Sequence, residues 1–356
     1  MANQNIRTPR FYPDLISYHR ARGSAIGTVS AISNTIAVQS GSAAELFDLR
    51  PLNQVTFDTS AATGDHVLVN VGFTSASYKQ NYIAILNHNL ATAVGKIRIF
   101  AGDLSTDTTT LDGGACETDD ITWADDTLTE VVNADTTTAA ADDKSVVIEP
   151  ASDGTTIVIF PEQDLRYWAI QFEGNTTNTG VATNGTWGST DLAVGGIMIG
   201  EYFDMPRSPD LSVKKSIIYD HVDVQESVGG QRYSNATSFG RTASATSKSP
   251  FALGTYGQAM YGGRQAYDMS FSYLNSTDLI PAEYSVYQFA DDTVISDIWN
   301  MVDGQARPFI FSIDNTSVGA NAESEHMFAR FAQDSLEMTQ VAPDVFDVSM
   351  SIEEEF

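Results

Sequence analysis

From Ala25 to Glu173 the chain has no long helical period: β-branched and aromatic residues come in short runs, divided by clusters of Gly, Asn, Asp, Ser and Thr. A segment that sustains no apolar stripe at 3.6-residue spacing has to bury its side chains by pairing strands. The pattern therefore predicts antiparallel sheets joined by turns. The expected strands are Ala31 to Gln39, Gln54 to Asp58, His66 to Phe73, Tyr82 to Leu86, Lys96 to Ala101, Ser145 to Glu149, Thr155 to Phe160 and Tyr167 to Glu173. About eight such strands make a jelly roll or β-sandwich.

The Thr- and Asp-rich interval from Asp103 to Asp143 interrupts this series and reads as a long decorated loop. Upstream, Arg7, Arg10, Arg20 and Arg22 against Asp14 describe a basic arm, with a short helix from Asp14 that Gly23 ends. Downstream, the Gly-, Asn- and Thr-rich stretch from Asn175 to Ser189 divides the sandwich from a second region. The expected domains are thus 1–24, the arm; 25–190, the jelly roll with an acidic insertion over 103–153; and 191–356, a second antiparallel β domain with an extended arm over 229–266. The fold class is mainly β.

In the second region, Ser216 to Val224 reads as a strand, and Tyr267 to Leu274 alternates with Tyr267, Met269, Phe271 and Tyr273 on one face. Val294, Ile295, Ile298, Trp299 and Val302 recur at helical spacing, with Asp291 or Asp292 to cap the segment and Gly304 to end it. Pro308 to Asp314, His326 to Gln333, Leu336 to Val341 and Phe346 to Ile352 complete the domain as strands. One amphipathic helix is expected to pack on this sheet.

The 46 acidic residues against 19 Lys and Arg give a net charge of −27, which repels polyanions, so no nucleic-acid partner is expected. The charge is unevenly placed. Asp103 to Asp153 holds fourteen acids and one base, Lys144, whereas Gly229 to Ala266 holds Arg232, Arg241, Lys248 and Arg264 and no acid. Phe239, Phe251, Tyr256, Met260 and Tyr261 lie in that acid-free stretch, which suits an arm that orders on a neighbouring subunit. The alternative is a loop folded back on its own subunit. The longest apolar runs, such as Ile157 to Phe160, fall short of the roughly 20 residues that span a bilayer, so no membrane partner is expected. No apolar stretch follows the basic N-terminus, and synthesis and use without classical export are expected.

Chemistry has few local signatures. GxSxG, HExxH, GxxxxGK[ST] and post-strand GxGxxG are all missing, and the five histidines have no i, i+4 pair. His88, between Asn87 and Asn89, reads either as a general base or sugar-binding group or as a turn closed by side-chain hydrogen bonds. The lone Cys116 sits among acids that would raise its pKa. No cofactor is expected; the acidic loop lacks the EF-hand register, leaving only opportunistic calcium there. Trp123 and Trp187 lie in polar, loop-like surroundings, as stacking platforms for a glycan or partner or as indoles buried under a loop. Trp168 and Trp299 read as core.

Two stretches carry a family likeness. Ala44-Glu-Leu-Phe-Asp48, His66 to Gly72, Tyr82 to Leu90, Ile97 to Gly102 and Arg166 to Phe172 together resemble the galactose-binding-like, discoidin-type jelly roll. That resemblance implies a scaffold whose members bind glycans through end loops or serve structurally. Gly195 to Gly200, Gly229-Gly230, Arg307 to Phe311, Phe328 to Phe331 and Phe346 to Glu355 resemble tail and baseplate proteins of tailed bacteriophages. This second likeness implies a non-enzymatic, self-assembling virion component, assembled in the host cytoplasm and linked to other virion proteins, such as a tail adaptor. A connector or head-surface protein fits the same pattern, and a glycan-binding host-adhesion module is the alternative function. The expected subunit contacts are Arg232, Phe239, Arg241, Lys248, Phe251, Tyr256, Met260, Tyr261 and Arg264. Trp123 and Trp187 are the expected glycan or partner contacts.

Overall fold

The computed structural model describes residues 7–21, 27–33, 36–61, 66–73, 79–102, 128–134, 136–139, 145–175, 185–218, 223–234, 251, 264–280, 295–319 and 322–355. The chain is mainly β, built from antiparallel sheets with a few short helices. Trp123, Phe239, Arg241, Lys248, Tyr256, Met260 and Tyr261 lie outside the described residues, as do Cys116 and the acidic stretch 103–127.

A six-stranded sheet runs in the order β2 (Gly27–Ser33), β5 (His66–Gly72), β12 (Tyr167–Gly174), β7 (Gly95–Gly102), β10 (Val146–Glu149) and β9 (Thr136–Ala139). A four-stranded sheet has the order β14 (Gly196–Gly200), β6 (Gln80–His88), β11 (Gly154–Gln163) and β8 (Thr129–Val132). Alternation along the strands builds the layer between them. Val67, Val69, Ile97, Ile99, Ile170 and Phe172 of the first sheet share one buried cluster with Ile83, Ile85, Val158, Ile197 and Ile199 of the second. This is a β-sandwich. A small sheet of β13 (Leu192–Val194), β4 (Val55–Phe57) and β3 (Val38–Ser40) flanks it, and a short helix, α2 (Leu90–Ala93), follows β6.

The largest sheet has the order β15 (Phe203–Asp204), β1 (Arg10–Tyr12), β20 (Phe309–Ser312), β21 (His326–Phe331), β23 (Val345–Glu354), β19 (Arg264–Asn275) and β16 (Lys214–Ile218), with β22 (Met338–Ala342) also paired to β23. Tyr12, Ile310 and Phe328 on one of its faces join Tyr82, Ala84, Leu86, Ile157 and Met198 from the side of the four-stranded sheet turned away from the sandwich interior. The Tyr12 and Tyr82 rings meet edge-on at 5.1 Å. The other face carries Phe11, Phe309, Phe311, Met327, Phe331, Met350 and Ile352, which cluster with Ile295, Ile298 and Met301 of helix α4 (Ile295–Met301). Two further short helices, α1 (Leu15–Ala21) and α3 (Ser276–Leu279), follow β1 and β19.

Strand pairing departs from the expected segmentation at two places. The basic N-terminal segment supplies β1, an inner strand of the large sheet, paired with β15 on one side and β20 on the other. At the other boundary, β13 and β14, which follow residue 190, pair with β4 and β6 and so complete sheets of the N-terminal half. The sheets therefore change over between β14 and β15.

Candidate functional site

The expected subunit contacts separate into four groups. Arg232 stands on β18 (Arg232–Ser234), which among the described residues pairs only with β17 (Val224–Glu226), in a two-stranded hairpin exposed at every position of both strands. Its guanidinium is held 3.3 Å from Glu226 of the same hairpin. Val224 and Tyr233 are exposed, and Val228 at the tip is fully so. Arg264 opens β19 and is paired with Glu353 at 3.0 Å within its own sheet. Phe251 is a correction to the expectation of a subunit contact: it is buried on its own chain, its ring 6.2 Å from that of His326, in the cluster between the large sheet and the sandwich. The other six lie outside the described residues.

Trp187 is likewise a correction. Its indole is buried to 6% exposure in the sandwich core and packs over Gly95. A Cβ at Gly95 would stand 2.6 Å from the ring, so the glycine makes the slot that holds it. A buried indole offers no face to a glycan. Polar sequence around Trp187 pointed outward because Gly185 and Gly188 look like loop residues, whereas Gly185 bridges to Gly174 and Gly188 bonds to the Ala93 carbonyl.

The Asn87-His88-Asn89 turn is consumed by structural bonds. The Leu90 amide donates to His88 Nδ1 at 3.3 Å, so Nε2 carries the proton and donates to Thr156 Oγ1 at 2.8 Å. Asn87, at φ 48°, donates to the Pro51 carbonyl, and Asn89 both donates to the Asp191 carbonyl and accepts from the Ala193 amide. Burial pushes the imidazole down to about 4, so it is neutral at pH 7.

Cross-strand register brings together a charged group that spacing along the chain does not reveal. Glu173 on β12 stands opposite His66 on β5 and Lys96 on β7, with Arg98 two residues along. Glu173 Oε1 lies 3.7 Å from Lys96 Nζ and 2.7 Å from an Arg98 nitrogen, and Gln171 donates to Oε2 at 3.1 Å. The Lys96 and Glu173 side chains are fully buried. Burial lowers the pKa of the Lys96 ammonium; Glu173 acts against that shift and Arg98 with it.

One open cleft of about 530 Å³ is lined by Trp299, Asp303, Gly304, Gln305, Ala306 and Asp334. Trp299 is only partly buried, and this too corrects the expectation that it belongs to the core: it packs against the core, its ring centroid 5.0 Å from that of Phe331, and also lines the cleft. Gly304, at φ 64°, lets the helix end turn tightly under the indole. Arg330 donates to the carbonyls of Gln305 and Ala306, and Arg307 holds Asp303 and the Ser17 carbonyl. Gln305 Nε2 donates to Asp334 at 2.7 Å. The cleft joins loops 29 residues apart, so sequence spacing carries no sign of it beyond a Trp beside an Asp-Gly turn.

Among the described residues no group of three or more His, Cys, Asp or Glu side chains could hold a metal ion, and no helix is long and apolar enough to cross a membrane. No family model, curated protein or solved structure matches the chain.

Proposed function

We propose that the chain is a non-enzymatic structural component of a tailed-phage virion, of the tail, baseplate or tail-adaptor type, which assembles with copies of itself and links neighbouring virion proteins. The phage part of the reading rests on the strand pattern over 195–356. The assembly part is carried by the β17–β18 hairpin. A two-stranded ribbon is marginal in water by itself. Among the described residues this one has no third strand, and it holds Val224, Val228 and Tyr233 out in solvent. Such a ribbon gains most of its stability from a partner surface. The sequence that begins at the hairpin, Gly229 to Ala266, is free of acids in a chain that is otherwise strongly acidic, so a second copy offers it complementary charge. Electron microscopy of the purified protein tests the reading: it predicts class averages with rotational symmetry or a regular array, and a field of single asymmetric particles at high concentration contradicts it.

The Trp299 cleft favours one second reading, a glycan-binding adhesion module. A fixed indole beside an amide and two carboxylates presents an apolar ring face and hydroxyl-binding groups together. Titration calorimetry with host-surface oligosaccharides checks it; heat that vanishes in Trp299→Ala supports it, and no heat at millimolar sugar refutes it.

A further inference from the structure

We propose that copies of this chain join head to tail by pairing β16 of one with β22 of the next, so that the large sheet runs on from subunit to subunit. The inference deepens the assembly reading above and rests on it. Both strands are five residues long and, among the described residues, both are edges: β16 pairs only with β19 there, and β22 only with β23. Both strands are open to solvent, with Ile217 53% and Val341 49% exposed, and among the described residues no further strand covers their outer sides. Exposed edges of this kind accept another strand unless something opposes it.

Charge decides which strand. β16 begins with Lys214 and Lys215, and the Lys214 side chain is 71% exposed. Glu337 precedes β22, and Asp344 follows it in the turn to β23, both exposed. A two-fold β16–β16 contact is antiparallel and would set Lys214 and Lys215 opposite Ile218 and Ile217, with no carboxylate on the facing strand, and a β22–β22 contact would set Glu337 near Asp344, carboxylate against carboxylate. The β16–β22 contact alone brings opposite signs together, which disfavours a two-fold dimer and favours a head-to-tail chain or ring.

Direction agrees. β16 is antiparallel to β19, and β19 to β23, so β16 runs parallel to β23; β22 runs antiparallel to β23. β16 lies level with the Ser351–Glu353 end of β23, whereas β22 pairs with its Val345–Val348 end. Moving one copy, without rotation, sideways and several residues along the strand direction therefore brings β16 and β22 together antiparallel, as the neighbouring pairs in this sheet are.

Single-cysteine variants test this in a Cys116→Ser background, using Ser216→Cys on β16 and Gln340→Cys on β22. An equal mixture treated with a short bis-maleimide is expected to give a covalent dimer, and neither variant alone is expected to. Lys214→Glu with Lys215→Glu should weaken assembly at least tenfold, and mixing this variant with a Glu337→Lys, Asp344→Lys copy should restore it. Near-ultraviolet circular dichroism shows whether each variant keeps its packing. A cross-link in Ser216→Cys alone, or no mixed cross-link while the unmodified protein remains oligomeric, overturns the edge pairing and leaves self-assembly standing. An unmodified protein that stays monomeric overturns both.

Discussion

Arg10 and Asp204, 194 residues apart in the chain, meet in a two-point ion pair, with Nε 2.5 Å from Oδ1 and NH2 2.8 Å from Oδ2. The guanidinium also lies 4.0 Å over the Tyr202 ring, and Asn315 donates to Oδ2 of the same carboxylate. Three distant segments are fastened at one point, which fixes β1 between β15 and β20 in the large sheet. Asp204 is a third exposed, so the pair is worth less than a fully buried one. Arg10→Met is expected to cost about 2 kcal/mol in urea unfolding. A loss below about 0.5 kcal/mol would mean that β1 is held by its backbone ladder and apolar side chains alone.

Glu173→Gln removes a carboxylate that Lys96 and Arg98 share while keeping the shape of the side chain. Two cations then remain close together with their nearest counter-charge gone, and the expected cost is about 3–5 kcal/mol. Lys96→Met in the Glu173→Gln background should recover part of that loss, giving a coupling of at least about 1 kcal/mol in a double-mutant cycle. Additive losses would show that the group is not a unit.

Gly95→Ala sets a methyl where the Trp187 indole lies, and the ring has little room to move inside the sandwich. A loss of about 1–3 kcal/mol is expected. Trp187→Ala empties the slot and should cost about 3–5 kcal/mol. Unchanged stability in both variants would place the indole outside the core.

Acid should destabilise the fold through two histidines. Burial holds His88 and His326 down to about 4, so the stability that their neutral forms contribute is complete above about 6.5 and is lost as pH falls toward 4. Burial raises the Asp14 carboxyl to about 6, opposed by the Ser17 and Ile199 amides that donate to it; its contribution runs the other way, growing as pH falls through 6. Between pH 6 and 4 the unfolded chain holds about two protons at these histidines, while the native chain holds about one, at Asp14. Among these three groups the net loss is about 1 kcal/mol per pH unit. Asp14→Asn should steepen the fall in urea unfolding between pH 6 and 4, and His326→Phe should flatten it; slopes indifferent to both substitutions would refute the assignment.

Strand periodicity was readable because alternation survives along each strand: Tyr267, Met269 and Phe271 are buried on one face of β19 as their spacing predicts, while Tyr273 of the same set is exposed at φ 63° beside a register shift. Three-residue strands such as β1 and β13 were not, since Arg-Phe-Tyr and Leu-Ala-Val are too short to display a period. The helix spacing through Ile295 and Ile298 marked α4 correctly but could not tell that Trp299 sits at its rim, because exposure there depends on the loops carrying Gln305 and Asp334. Glu173, Lys96 and Arg98 were equally hidden, since only the register of β12 against β7 brings them together. The paired lysines that open β16 were a local sign of a sheet edge, yet an edge is recognised only once the strand order is known.

The mass of the purified protein as a function of concentration tests self-assembly most directly. A single copy weighs 38.5 kDa. The account predicts a well-defined multiple of that mass at micromolar concentration, lost in the Lys214→Glu, Lys215→Glu variant. A species that stays at the mass of one copy across the accessible concentration range, in buffers of both low and physiological salt, would contradict it.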